Sequence, residues 1–201
     1  MIRVLLVEDQ VLLRTALQAV FSLEADVEVV AAIGDGAEVL TTARRTAPDV
    51  IVLDIHLPGI DGLGLLPLIK AADPRAKVLL LSSRPRPGHV RRAIQGGVDG
   101  FQPTDLPSER LIAVIREIHA GGRVIDPQLA IDAMMHGESP LTARETEVLL
   151  VAAAGRSAPE VARLLHLSPG VVRNYLSAAS AKLGATNRAE AIRTASAKGW
   201  I

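Results

Sequence analysis

The sequence predicts an α/β domain with a doubly wound parallel sheet, followed by a small all-α bundle. Three observations lead there. Short apolar, β-branched runs alternate with amphipathic helical segments five times before residue 120. Two of those runs stop abruptly on acids, residues 2–7 on Glu8-Asp9 and residues 50–53 on Asp54. After residue 140 helix starts recur with no strand pattern between them.

Taken in order, residues 2–7 form a first strand, and Leu12, Leu13, Ala16, Leu17, Val20 and Phe21 then recur at helical spacing. Residues 27–33 make a second strand, and Gly34-Asp35-Gly36 opens a helix through about Thr46. The run Val50-Ile51-Val52-Leu53-Asp54, bounded by Pro48 and by Pro58-Gly59, is a third strand, apolar enough to be buried on both faces. Leu63, Leu65, Leu66, Leu68 and Ile69 supply the next helix, residues 77–83 a fourth strand, and residues 88–95 a helix. A short strand at residues 100–102 and a helix from Pro107 to about His119 complete five β-α units, whose crossovers are expected to be right-handed.

Ala120-Gly121-Gly122 breaks the pattern, and residues 120–138, with a short helix around 129–135, are expected to be a linker. Beyond it, Thr142 with Glu145 and Ser157 with Glu160 have the capping-box spacing, in which a hydroxyl and a carboxylate satisfy exposed N–H groups at a helix start. Ser168-Pro169 and Asn187 through Glu190 mark two more starts. The expected domains are therefore residues 1–119 and 139–201, the second a compact bundle of four helices.

Composition narrows the function classes. The chain is 49% hydrophobic and 2% aromatic, so its cores must be aliphatic. It has no Cys, which excludes disulfide scaffolds and thiolate metal sites. No apolar run approaches the ~18 residues of a membrane span, and residues 1–20 carry acids rather than a signal-peptide pattern, so a cytoplasmic protein with no membrane partner is expected. Residues 1–119 hold 13 Lys/Arg against 15 Asp/Glu, and residues 139–201 hold 8 against 4. The basic last third points to a polyanion.

Strand-end acids at one sheet edge suggest a site, because ligands of such sheets gather at the carboxyl ends of the strands. Two carboxylates ~4 Å apart repel by roughly 4 kcal/mol at an effective dielectric near 20, so three together call for a proton or a cation. Mg²⁺, a hard ion that prefers oxygen ligands, suits them. A carboxylate beside such an ion can attack a phosphoryl group. In the plainer reading Asp9 caps the first helix and Glu8 is solvated.

Glu8-Asp9, Asp54, Pro58-Gly59-x-Asp61-Gly62, Ser82 and Phe101 together resemble the receiver domain of two-component response regulators over residues 1–119. The resemblance implies a flavodoxin-like (βα)5 fold and partnership with a sensor histidine kinase. It implies Asp54 as phospho-acceptor, and Glu8, Asp9, Asp54 and the His56 backbone carbonyl as Mg²⁺ ligands. Ser82 and Phe101 take the hydroxyl and aromatic switch positions. One residue departs from the pattern: Thr104 stands where the family carries a Lys that pairs with phosphoryl oxygens. A hydroxyl donates one hydrogen bond without charge, so a charge-assisted contact is lost. Arg84 or Arg86 could replace it only if the Pro85/Pro87 loop folds over the site.

Near the C-terminus, Val172, Leu176, Ala179 and Leu183 share one helical face, while Arg173, Asn174 and Ser177 share another. Arg can take guanine O6 and N7, and Asn can take adenine, so the second face has the side chains for major-groove reading. With residues 159–165 and the turn His166-Leu167-Ser168, this makes a helix-turn-helix. A solvated polar face is the plainer reading. Leu141-Thr142-Ala143-Arg144-Glu145, Leu167-Ser168-x-Gly170-x-Val172-Arg173-Asn174-Tyr175-Leu176 and Lys182-Leu183-Gly184 resemble the LuxR-type domain of NarL/FixJ regulators. That resemblance implies that Arg173, Asn174 and Ser177 face bases, whereas Lys182 and the regions of Thr142 and Ser168 approach phosphates. Val171 departs from the usual Thr and removes one hydroxyl donor.

The expectation is thus a DNA-binding transcriptional regulator, not an enzyme, phosphorylated on Asp54 and acting as a homodimer. One alternative keeps the DNA binding but regulates the receiver by a ligand or by constitutive dimerisation. Another, an aspartyl-phosphate phosphohydrolase, would want a second Asp where His56 stands. Gly34-x-Gly36 lacks the third Gly of a dinucleotide loop, and the five His share no metal-binding spacing.

Overall fold

The computed structural model describes residues 1–135 and 138–201. Contacts divide the chain into two compact units, Met1–Pro85 with Val90–Ile131, and Arg86–His89 with Asp132–Ile201.

In the first unit, β1 (Ile2–Val7), β2 (Val27–Ile33), β3 (Val50–Asp54), β4 (Lys77–Ser82), β5 (Gly100–Pro103) and β6 (Val124–Ile125) form one parallel sheet in the order β2-β1-β3-β4-β5-β6. The connecting helices are α1 (Val11–Ser22), α2 (Val39–Thr46), α3 (Gly62–Ala72), α4 (Pro87–Gln95) and α5 (Ser108–His119). A 3₁₀ turn, Gly36–Glu38, precedes α2, because Asp35 accepts the Ala37 N–H and tightens the entry.

Strand alternation sends Ile2, Val4, Leu6, Val50, Val52, Leu79 and Leu81 to one face, where they meet Phe21 of α1 and Leu111, Ile112, Val114, Ile115 and Ile118 of α5. The opposite face carries Leu5, Ile51, Leu53 and Leu80, all buried. Leu40 of α2 and Ile69 of α3 come together around Ile51 there. Every residue of β3 is buried, as a central strand covered on both sides requires.

Residues 120–138, expected to be a linker, carry more structure than that. Val124 and Ile125 pair in parallel register with Gly100 and Phe101, because the outer side of β5 would otherwise leave its backbone groups unpaired. A helix, α6 (Pro127–Met135), follows, its first turn closed by Asp126, which accepts the Leu129 N–H at 3.0 Å. Residues 136 and 137 of this span lie outside the described residues.

The second unit contains α7 (Ala143–Ala153), α8 (Ala158–Leu164), α9 (Pro169–Lys182) and α10 (Arg188–Lys198), capped at Thr142, Ser157, Ser168 and Asn187. Val148, Leu149, Val161, Val172, Leu176, Ala179, Ala191 and Ala195 form its core. Small residues at the helix crossings allow close approach in a bundle with few rings to fill gaps. No helix among the described residues is long and apolar enough to cross a membrane.

One buried charge fixes the strand-starting edge of the sheet. Asp99 accepts Lys70 Nζ at 2.7 Å, Val78 N at 3.0 Å and Lys77 Nζ at 3.1 Å. Burial pushes its carboxyl up, but the hydrogen bonds from Lys70, Val78 and Lys77 outweigh this and hold it below the usual carboxylate range. A lowered folded pKa contributes stability that is present above the unfolded value near ~3.9 and lost as pH falls through the folded one. Asp99→Asn is expected to lower stability by about 2 kcal/mol at pH 7 in urea unfolding. The difference from wild type should begin to shrink below about pH 4, where the unfolded carboxylate takes up a proton, and should keep shrinking as pH falls through the lower folded value.

Candidate functional site

The chain runs from β1 outward to β2 and then returns across β1 to β3, so the crevice between the β1 and β3 ends lies where the strand order reverses. Glu8 and Asp9 leave β1 at that point and Asp54 ends β3. One carboxylate oxygen from each lies within 4.8 Å of the others. Glu8 and Asp54 are buried and Asp9 is more open.

Local backbone geometry builds this corner. The Glu8 N–H donates to Ile33 O at 3.0 Å, which ties the end of β1 to β2, and Glu8 Oε1 accepts the Gln10 N–H at 3.0 Å. Arg14 of α1 donates to Glu8 O at 2.5 Å, so its guanidinium reinforces the backbone behind the acids. Beyond Asp54, Gly62 N–H returns to Ile55 O at 3.1 Å, and a Cβ on Gly62 would stand 2.4 Å from Asp54 O. Only glycine fits there. Asp61 caps α3 by accepting Gly64 N–H at 2.5 Å, and Gly59 takes the left-handed turn with φ 78°.

The electrostatics match crowded acids. Burial first, then the charges of Asp54 and Asp9, push the Glu8 carboxyl up to about 7, against the opposing Gln10 N–H. Burial also raises Asp54, while the backbone N–H and the charge of His56 draw it back and Asp9 adds to the rise. The three carboxylates fit Mg²⁺ in their chemistry, since closely spaced carboxylate oxygens are the ligands that a hard ion prefers and would hold it there.

Ser82 ends β4 fully buried, its Oγ accepting Arg84 N–H at 3.2 Å. Thr104, just past β5, donates its N–H to Ser82 O at 3.0 Å, so the two hydroxyl residues sit on adjoining strand ends. Phe101 is wholly buried in β5 beside Leu80, one strand farther from the acids. His56 is exposed two residues after the acid, and its backbone N–H opposes the rise that burial causes in Asp54. Arg84 is exposed.

In the helical unit, α8 closes at Leu165, His166 adopts φ 53°, and the Leu167 N–H returns to Ala162 O at 2.8 Å, making the tight turn into α9. Arg173, Asn174 and Ser177 are exposed on α9, whereas Val172, Leu176 and Ala179 are buried. The hydroxyls of Thr142 and Ser168 are taken up as caps, accepting Glu145 N–H at 3.2 Å and Val171 N–H at 3.3 Å. Lys182, at the other end of α9, is also exposed, but its ammonium meets Glu145 at 2.7 Å. Sequence reasoning missed this partner, because the two residues lie 37 positions apart and only the packing of α7 on α9 joins them.

Comparison with known proteins places the two units. Residues 4–116 match the response regulator receiver domain family, and residues 139–195 match the luxR family of bacterial regulatory proteins. The transcriptional regulatory protein DesR of Bacillus subtilis is 39% identical over 201 residues, covering 100% of both chains. The response regulator RamR of Streptomyces coelicolor is 36% identical, covering 100% of this chain and 98% of its own. The crystal structure of the response regulator ChrA, from a heme-sensing two-component system, is 30% identical with a TM-score of 0.58, covering 100% of this chain and 98% of that one. The chain therefore belongs to the NarL/FixJ family of two-component response regulators, DNA-binding transcriptional regulators in which a receiver domain precedes a LuxR-type helix-turn-helix.

Proposed function

We propose that this regulator is switched by phosphorylation of Asp54 by a sensor histidine kinase and then binds DNA as a homodimer in the cytoplasm. Residues 1–119 act as the receiver and residues 139–201 read the DNA. The observation that carries the reading is the triad of buried Glu8 and Asp54 with the more open Asp9 at the strand-order reversal. An Asp54 oxygen attacks the phosphorus of a phosphohistidine, the P–N bond breaks, and the imidazole leaves with its electron pair and takes up a proton. Bound by Glu8, Asp9, Asp54 and the His56 carbonyl, Mg²⁺ would supply the charge that offsets the incoming phosphate. Ser82 offers its hydroxyl to a phosphoryl oxygen, with Phe101 behind it on β5. Thr104 supports a second reading, in which dimerisation proceeds without phosphate, because an uncharged hydroxyl holds a phosphoryl group less strongly than an ammonium. On α9, Arg173, Asn174 and Ser177 face base edges, and the helix starts at Thr142 and Ser168 approach phosphates.

Three outcomes test this. Mg²⁺ at ~100 times its dissociation constant should stabilise the receiver by about 2.7 kcal/mol in thermal unfolding, and Asp9→Asn or Glu8→Gln should abolish most of that gain. With Mg²⁺ and acetyl phosphate, intact-mass analysis should show one phosphoryl addition and sedimentation a shift from monomer to dimer, both absent in Asp54→Asn. A dimer present regardless of phosphodonor supports the second reading, and steady phosphate release dependent on Asp54 would mean a hydrolase. Arg173→Ala should relax base preference at one position of a selected site and weaken specific binding by ~1–3 kcal/mol. Unchanged selection from a random duplex pool would remove Arg173 from the reading surface.

A further inference from the structure

Lys182 is the last residue of α9, and its Nζ lies 2.7 Å from Glu145 Oε2. The same oxygen accepts the Thr142 N–H at 2.7 Å, so one carboxylate both closes the capping box of α7 and holds the end of α9. Glu145 is buried, 5% exposed, while the Lys182 side chain keeps 38% of its surface. The Lys182 ammonium is the first cause that holds the Glu145 carboxyl below its ordinary range, followed by the Thr142 N–H.

Helix geometry places Lys182 away from Arg173 and Ser177, and about 80° around the helix from Asn174. At ~100° per residue, Lys182 stands about 180° around α9 from Arg173 and only about 60° from Ala179. Ala179 is fully buried and Arg173 is exposed. Lys182 also lies about 13 Å along the axis from Arg173, at ~1.5 Å per residue, whereas helices of this class read bases with their N-terminal turns.

Two more cations are engaged within the same bundle. Arg144 meets Glu147 and donates to Leu165 O at 3.2 Å, and Arg188 donates to Ala152 O and Arg156 O, each at 2.5 Å. Three of the eight Lys/Arg in residues 139–201 are thus bonded to other parts of the bundle.

We infer that Lys182 is a positioning residue rather than a phosphate contact: paired with Glu145, it sets the angle at which α9 is presented to DNA. The carboxylate cannot be left alone, because a buried charge without its partner is strongly unfavourable. The inference rests on α9 being the DNA-reading helix.

The test uses the full chain and a duplex that the wild type enriches from a random pool, with binding followed by fluorescence anisotropy over a range of salt. Lys182→Met and Glu145→Gln should each weaken binding roughly five- to thirtyfold. The double variant should lose less than the product of the two, because both changes break one interaction. The slope of log affinity against log salt should stay unchanged in all three. A slope reduced by about one in Lys182→Met would mean that a phosphate contact has been removed, and would overturn the inference. Tighter or unaltered binding by Glu145→Gln, which frees the ammonium for DNA, would also overturn it. If circular dichroism shows Lys182→Met unfolded, Glu145→Gln decides alone, since Gln can still accept the Thr142 N–H. Failure of the wild type to enrich any duplex would instead refute the reading of α9, before any variant is compared.

Discussion

Repulsion among three carboxylates is the constraint around which the receiver is arranged. Glu8 and Asp54 are held buried side by side with Asp9 at the rim, an arrangement that opposes folding unless a proton or a cation enters. The surrounding structure holds it in place. β1 and β3 are adjacent because the chain crosses back over the sheet, the backbone of Glu8 is fastened to Ile33 and Arg14, and Gly62 lets the loop after Asp54 fold back against its own strand. A proton relieves the crowding through Glu8, and a divalent ion relieves it through all three groups. The site thus favours incoming positive charge.

The helical unit uses charge differently. Its basic excess, read as an attraction for a polyanion, is divided by the fold into two populations. Arg144, Lys182 and Arg188 join helices to one another, two of them by donating to carbonyls at helix ends, where backbone acceptors lack intrahelical partners. Arg156, Arg163, Arg173 and Arg193 are exposed, as is the paired Lys182. The engaged cations keep their charge, and their carboxylate partners are already subtracted in the net count; what the fold restricts is their freedom to touch a phosphate directly.

Thr104 connects the receiver's geometry to its regulation. Its N–H holds the ends of β4 and β5 together through Ser82, a role that any residue but proline can fill, so the fold tolerates the loss of a Lys there. Near Asp54, the backbone N–H of His56, two residues along the same loop, opposes the rise that burial causes.

Much of the fold was legible in the sequence. Helix and strand periodicity, the break at Gly121-Gly122 and the cap residues Thr142, Ser157, Ser168 and Asn187 are local properties, and local properties place elements within a residue or two. The same holds for the strand-end acids, because a doubly wound sheet brings the carboxyl ends of β1 and β3 to one edge whatever the details of packing. Tertiary structure alone decided three things. A sixth strand joined the sheet because the two apolar residues Val124 and Ile125 met the open side of β5, a partner no short window contains. Asp99 became the buried partner of Lys70 and Lys77, across 29 and 22 positions. Lys182 turned to Glu145, because which way a long side chain points depends on the helix packed beside it. Spacing along the chain determines which face of an element a residue occupies, but only the assembled neighbours determine what that face meets.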